Sequence, residues 1–158
     1  MRILAIDPGY DRLGIAVIEG DPSRPTLVWS ECVIPDKGER EERLAQVAHA
    51  VTAAISKYVP DALAIETLFF SVNKKTAIGV AEARGAILAA AGCAALPVRE
   101  CSPQQVKLAV AGHGGASKRD IAYMVPRLLS LPEKKRLDDE IDAIAIGITA
   151  LASELSRH

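Results

Sequence analysis

Two short apolar runs, each closed by a carboxylate, constrain this chain more than any other feature. Ile3-Leu4-Ala5-Ile6 ends at Asp7, and Leu63-Ala64-Ile65 ends at Glu66. By length and composition both runs are buried strands. The carboxyl ends of parallel strands are where α/β sheets bind ligands, so as parallel neighbours these two strands would point both acids into one crevice. The competing reading is a pair of strand-end acids that merely face water.

The remaining organisation suits such a sheet. Residues 2–7, 13–19 and 26–34 read as strands, separated first by Pro8-Gly9 and then by Gly20-Asp21-Pro22-Ser23; connections this short predict an antiparallel meander. Residues 39–58 have helical spacing, with Leu44, Val47, Val51 and Ile55 on one face, and Pro60-Asp61 ends that helix before the strand that closes at Glu66. An Ala-rich helix over 73–92 precedes a strand near 98–101. Ser102-Pro103-Gln104-Gln105 is a helix start with Ser as N-cap, Pro at the first helical position and Gln placed to close a capping box. Ser117 with Asp120 repeats that pattern after the loop Gly112-His113-Gly114-Gly115, and an almost wholly apolar helix runs over 139–155. Strands first, then alternating helix and strand, predict an α/β fold with a mixed sheet. The 158 residues form one expected domain, 1–158, without repeat, low-complexity tract or linker.

Composition excludes several classes. With 49% hydrophobic and 25% charged residues the chain is neither disordered nor fibrous. Cys32, Cys93 and Cys101 are odd in number, widely spaced and without a CxxC pair, which argues against a disulfide framework or a zinc site. The longest nearly apolar stretch, 85–98, is too short to span a bilayer, so a cytoplasmic protein with no membrane partner is expected. The net charge of −1 hides a partition: residues 1–66 carry 7 basic against 11 acidic side chains, residues 67–136 carry 11 against 4, and residues 137–158 carry 1 against 5. The basic middle is either an ordinary mixed surface or a place for a polyanion.

Asp142 lies between Ile141 and Ala143-Ile144 at the start of the apolar last helix, and no Lys or Arg occupies residues 137–156 to neutralise it. A carboxylate withdrawn from water needs a partner, and a cation is the economical one. Asp139 is three residues earlier on the same helical face, where the helix N-terminus favours ionised acids. The competing reading is a cap, with Asp139 as N-cap and Asp142 reaching back; capping and ligation are compatible. Four acids in one cleft would repel one another, and hard divalent ions relieve that repulsion. Mg²⁺ fits best, and two such ions would support phosphodiester hydrolysis.

Ile6-Asp7-Pro8-Gly9 followed by Gly14, then Ala64-Ile65-Glu66, then Asp139-Glu140-Ile141-Asp142-Ala143-Ile144-Ala145-Ile146, resembles the RuvC family of Holliday junction resolvases in order and spacing. The resemblance extends through Gln105-Val106-Lys107, the loop Ala111-Gly112-His113-Gly114 leading to Lys118, and Met124-Val125. It implies a ribonuclease H-like fold with a mixed five-stranded sheet flanked by helices, and an endonuclease that nicks two opposed strands of four-way junction DNA. Asp7, Glu66, Asp139 and Asp142 match the family's catalytic metal ligands, for two Mg²⁺ per site with Mn²⁺ able to substitute. Lys107 and Lys118 match basic residues near the scissile phosphate, and Phe69 matches an aromatic that stacks on DNA bases. The role of Phe70 and of His113 is left open, as is the choice between Asp138 and Asp139, made here for Asp139 by its spacing to Asp142. The helix over 73–92 resembles the family's dimer helix, implying a homodimer, and the family implies the RuvA–RuvB branch-migration complex as partner.

Three rivals remain at this point. Asp7-Pro8-Gly9 also resembles the phosphate-binding turn of actin-like ATPases and sugar kinases, but 158 residues leave no room for their second domain. A ribonuclease H-like nuclease of the YqgF type, acting on RNA, would share the opening motif. An inactive DNA-binding scaffold would be marked by lost carboxylates, and all four are present.

Overall fold

The computed structural model describes residues 1–68, 74–132 and 134–153. Three strands open the chain: β1 (Arg2–Asp7), β2 (Leu13–Asp21) and β3 (Arg24–Val33). Helix α1 (Arg40–Tyr58) leads to β4 (Ala62–Glu66), and α2 (Lys74–Cys93) leads to β5 (Val98–Cys101). Helices α3 (Pro103–Ala111), α4 (Lys118–Leu128) and α5 (Asp138–Ala152) complete the fold. The five strands form one sheet in the order β3-β2-β1-β4-β5. The meander is antiparallel, whereas β1 pairs with β4, and β4 with β5, in parallel.

The period-two alternation of β1 and β4 decides which side of the sheet carries the chemistry. Leu4, Ile6, Leu63 and Ile65 join the core under α1 and α2, while Ile3, Ala5, Ala62 and Ala64 join the core under α3, α4 and α5. Asp7 continues the odd positions of β1 and Glu66 the even positions of β4. Both acids therefore project on the α5 side, and the pairing of Ile6 with Ile65 makes them neighbours at the strand ends. Each of the large aliphatics buried here, such as Ile3, Leu4 and Leu63, contributes about 1.5–3 kcal/mol relative to exposure.

Helix α5 crosses this face closely because glycine permits it. A Cβ on Gly147 would overlap Ile18 Cγ1 and lie 3.2 Å from Ala5 Cβ, so the helix could not seat over β1 and β2 with any larger residue. Both expected capping boxes are formed: Ser102 accepts from the Gln105 amide while Gln105 accepts from the Ser102 amide, and Ser117 and Asp120 do the same. The start of α5 departs from expectation. Its N-cap is Leu137, without a side-chain cap, and Asp138, Asp139 and Glu140 all lie in the first turn.

Among the described residues one stretch, Thr76–Cys93 of α2, is long and apolar enough to cross a membrane by length and composition, with mean hydropathy 1.2 and 17% of the window buried. Glu82 and Arg84 interrupt its apolar sequence. Those two charges pair with Arg40 of α1 and Glu100 of β5, at 3.1 and 2.8 Å, and tie α2 to the body of the fold.

Candidate active site

Asp7, Glu66, Lys107, Lys118 and Asp142 line one cleft of about 210 Å³, walled by Val106, Ile121 and Ile146. Five elements converge there. Strands β1 and β4 present their terminal acids, α5 presents Asp142 from its second turn, and α3 and α4 present Lys107 and Lys118. The Ser117 capping box fixes the first turn of α4, and Lys118 directs its ammonium to Asp142 at 2.8 Å. The sequence near Asp142 gives no sign of this pairing, since the partner is 24 positions away.

Asp139 is seated beside Asp7 by a second close approach. A Cβ on Gly14 would overlap the carbonyl oxygen of Asp139 and lie 3.1 Å from Asp7 Cβ, so glycine lets the first turn of α5 rest on β2 next to β1. The Asp139 carboxylate is 3.6 Å from Arg12 Nη1 and faces a separate groove of about 470 Å³ between the β1–β2 turn and α2. Asp138 is exposed and its charge acts on Lys118, whereas Asp139 is half-buried and its charge acts on Asp7. The cap reading of Asp139 and Asp142 fails, because each carboxylate is turned to a cation from another element.

Electrostatics register the convergence. Burial, followed by the negative charges of Asp142, Glu66 and Asp139, pushes the Asp7 carboxyl from its ordinary 3.8 up to about 8, against the opposing pull of Lys118. Burial and Asp142 also raise Glu66, again opposed by Lys118. The hydrogen bond to Asp142 raises Lys118 and keeps it charged. Among the described residues no three His, Cys, Asp or Glu side chains are gathered closely enough to hold a metal ion as they stand. The reason is visible in the pairings: Asp142 is held by Lys118 and Asp139 by Arg12, so the four acids share a field rather than a point. An all-carboxylate, mutually repelling donor set nevertheless fits a hard divalent cation, which would relieve the strain that lifts Asp7.

A buried trio anchors this arrangement from behind. Ser30 Oγ donates to Glu140 Oε1 at 2.6 Å, and Arg136 Nε lies 3.4 Å from the same oxygen, with both charged side chains 8% exposed. It pins the first turn of α5 to β3. The i,i+4 spacing of Arg136 and Glu140 was the available sequence signal for it. Phe69 and Phe70 lie outside the described residues. His113 is exposed in the loop after α3 and does not line the cleft.

A mixed sheet of this order, with one acid ending each of two adjacent parallel strands and a second pair on the helix crossing them, defines a nuclease of the ribonuclease H-like class. Residues 3–150 match the family model "Crossover junction endodeoxyribonuclease RuvC". A relative of that name from Syntrophomonas wolfei is 40% identical over 154 residues, covering 97% of this chain and 90% of its own. The structure of Thermus thermophilus RuvC is similar with a TM-score of 0.88 and 35% identity, covering 99% of this chain and 97% of that one. The same protein in complex with Holliday junction substrate gives a TM-score of 0.91 at 34% identity, covering 99% and 96%. The chain belongs to the RuvC family of crossover junction endodeoxyribonucleases.

Proposed function

We propose that this chain resolves four-way DNA junctions by hydrolysing one phosphodiester bond in each of two opposed strands, with Mg²⁺ held by Asp7, Glu66, Asp139 and Asp142. The observation that carries the reading is the shared cleft: acids from two adjacent parallel strands and from α5, faced by Lys107 and Lys118, in a chain of this family. A bound divalent pair would activate a water and stabilise the leaving oxygen, and Mn²⁺ would serve in its place. The chain's own part is to supply the field. With a divalent cation held there, Asp7 would be ionised and Lys118, no longer needed by Asp142, would be available to the phosphate together with Lys107. Phe69 is assigned to stacking on bases near the junction centre.

A homodimer is part of this reading, and α2 supports it. Along its outer side Ile78, Ala81, Gly85, Ala89 and Gly92 are exposed, Ile78 at 59%, and a Cβ at Gly85 or Gly92 would meet nothing within 4 Å. A smooth apolar stripe of small residues suits a second copy of the same helix about a two-fold axis, which would set two sites for paired cuts. In this reading the chain acts as one domain in the cytoplasm, downstream of the RuvA–RuvB branch-migration complex. The RNA-directed rival loses its ground with the family match. Incubation with Mg²⁺ and a synthetic four-way junction, a linear duplex or an RNA–DNA hybrid tests the reading. Cleavage of the junction in preference to both is expected, and cleavage of hybrid without junction preference would overturn it.

A further inference from the structure

Neither the carboxylate pattern nor the family motif singles out Arg12, whose side chain reaches Asp139. It sits in the turn between β1 and β2, and several contacts hold that turn in place. Arg43 of α1 lies under the Tyr10 ring at 4.3 Å, donates to the Tyr10 carbonyl at 3.3 Å and pairs with Asp11 at 2.8 Å. Gly9 closes the turn where a Cβ would overlap the Arg12 carbonyl oxygen. Asp11, the acid next to Arg12 in sequence, is thus engaged by Arg43, and Arg12 turns to Asp139. Its side chain remains 54% exposed, at the mouth of the groove that Asp139 also lines.

Two acids of α5 thus face cations from other parts of the chain, Asp142 in a hydrogen bond at 2.8 Å and Asp139 in a looser ion pair at 3.6 Å. Lys118 takes Asp142 on the side of the cleft shared with Asp7 and Glu66, and Arg12 takes Asp139 on the side of the α2 groove. A divalent ion that recruits these carboxylates competes with both protein cations. Displacement sets free a guanidinium whose planar donor fork matches a phosphate better than an ammonium does. We infer that Arg12 is a second phosphate-contacting residue of this site: it holds Asp139 until a divalent ion takes that carboxylate, then engages the DNA backbone on the side opposite Lys118. The inference rests on the reading of the site as a junction nuclease, and it assigns the groove beside α2 to the strand flanking the cut.

Because Arg12 competes with metal but assists DNA, removing it must move two affinities in opposite directions. In Arg12→Gln, Mn²⁺ binding to the DNA-free protein, followed by the electron paramagnetic resonance of free Mn²⁺, tightens by about two- to five-fold, the range for an exposed pair. Binding of a four-way junction in Ca²⁺ weakens, and its log–log salt dependence becomes shallower by about one. Arg12→Lys retains the charge and stays near wild type in salt slope. Mn²⁺ affinity that is unchanged or weaker, or a salt slope that is unchanged, overturns the inference. Wild-type protein that binds junction no better than linear duplex would instead defeat the nuclease reading, while the Mn²⁺ comparison still decides whether Arg12 holds Asp139.

Discussion

At Asp7 burial and three neighbouring carboxylates act in the same direction, so the folded chain keeps its proton to about 8 whereas the ordinary carboxyl loses it near 3.8. Between those values the folded form binds one more proton than the unfolded form. Stability owed to this group is therefore complete below about 4 and lost as the pH rises to about 8, in the absence of metal. Asp7→Asn removes the repulsion: at pH 8 without metal its Tm should exceed that of wild type by about 2–4 °C per kcal/mol relieved, and its profile from pH 4 to 8 should be flatter. Mg²⁺ should raise the wild-type Tm far more than that of the variant, and cleavage by the variant should be absent at every pH. Thermal melts across pH with and without Mg²⁺ check this, and a wild-type profile that rises between pH 4 and 8 would refute the role given to Asp7.

Helix α5 places two of the four acids, and glycines set its distance from the sheet. Gly14→Ala would force the Asp139 carbonyl and Asp7 apart, with a cost of about 1–3 kcal/mol by overpacking. Gly147→Ala is crowded by Ile18 and Ala5, further along the helix. Similar losses of stability are expected from both, measured by chemical denaturation, but a much larger loss of cleavage from Gly14→Ala, since only that change displaces acids. Equal losses of activity would contradict this division. The elements themselves were largely legible in the sequence, because capping boxes are read over three residues and strand-end acids by alternation. Thus Ser102 with Gln105, Ser117 with Asp120, and the shared face of Asp7 and Glu66 were recoverable. The cation partners of Asp139 and Asp142 were not, since Arg12 and Lys118 arrive from other elements of the chain. The same omission produced the mistaken cap: carboxylates drawn to distant cations do not turn back on their own helix, and the helix begins one residue earlier, at Asp138.

Across the whole molecule the near-neutral sum of −1 conceals an acidic cleft rimmed by basic side chains from the middle of the chain. DNA affinity should accordingly fall steeply with salt. The exposed stripe of α2 adds the second whole-molecule expectation. Ile78→Asp should shift sedimentation from dimer to monomer at micromolar concentration while leaving the fold intact, since Ile78 is 59% exposed in its own chain. A variant that remains dimeric would move the interface elsewhere.

Paired cutting joins the cleft, the dimer and the substrate in one observable. A supercoiled plasmid extruding a cruciform, incubated with this protein and Mg²⁺, becomes linear when both opposed strands are cut during one encounter, and becomes a nicked circle when cuts are independent. Linear product bearing two nicks placed symmetrically about the junction centre, and none with Asp7→Asn, is the expected result. Nicked circles alone, or cuts scattered through the plasmid irrespective of the cruciform, would contradict the assignment of this chain as a junction resolvase.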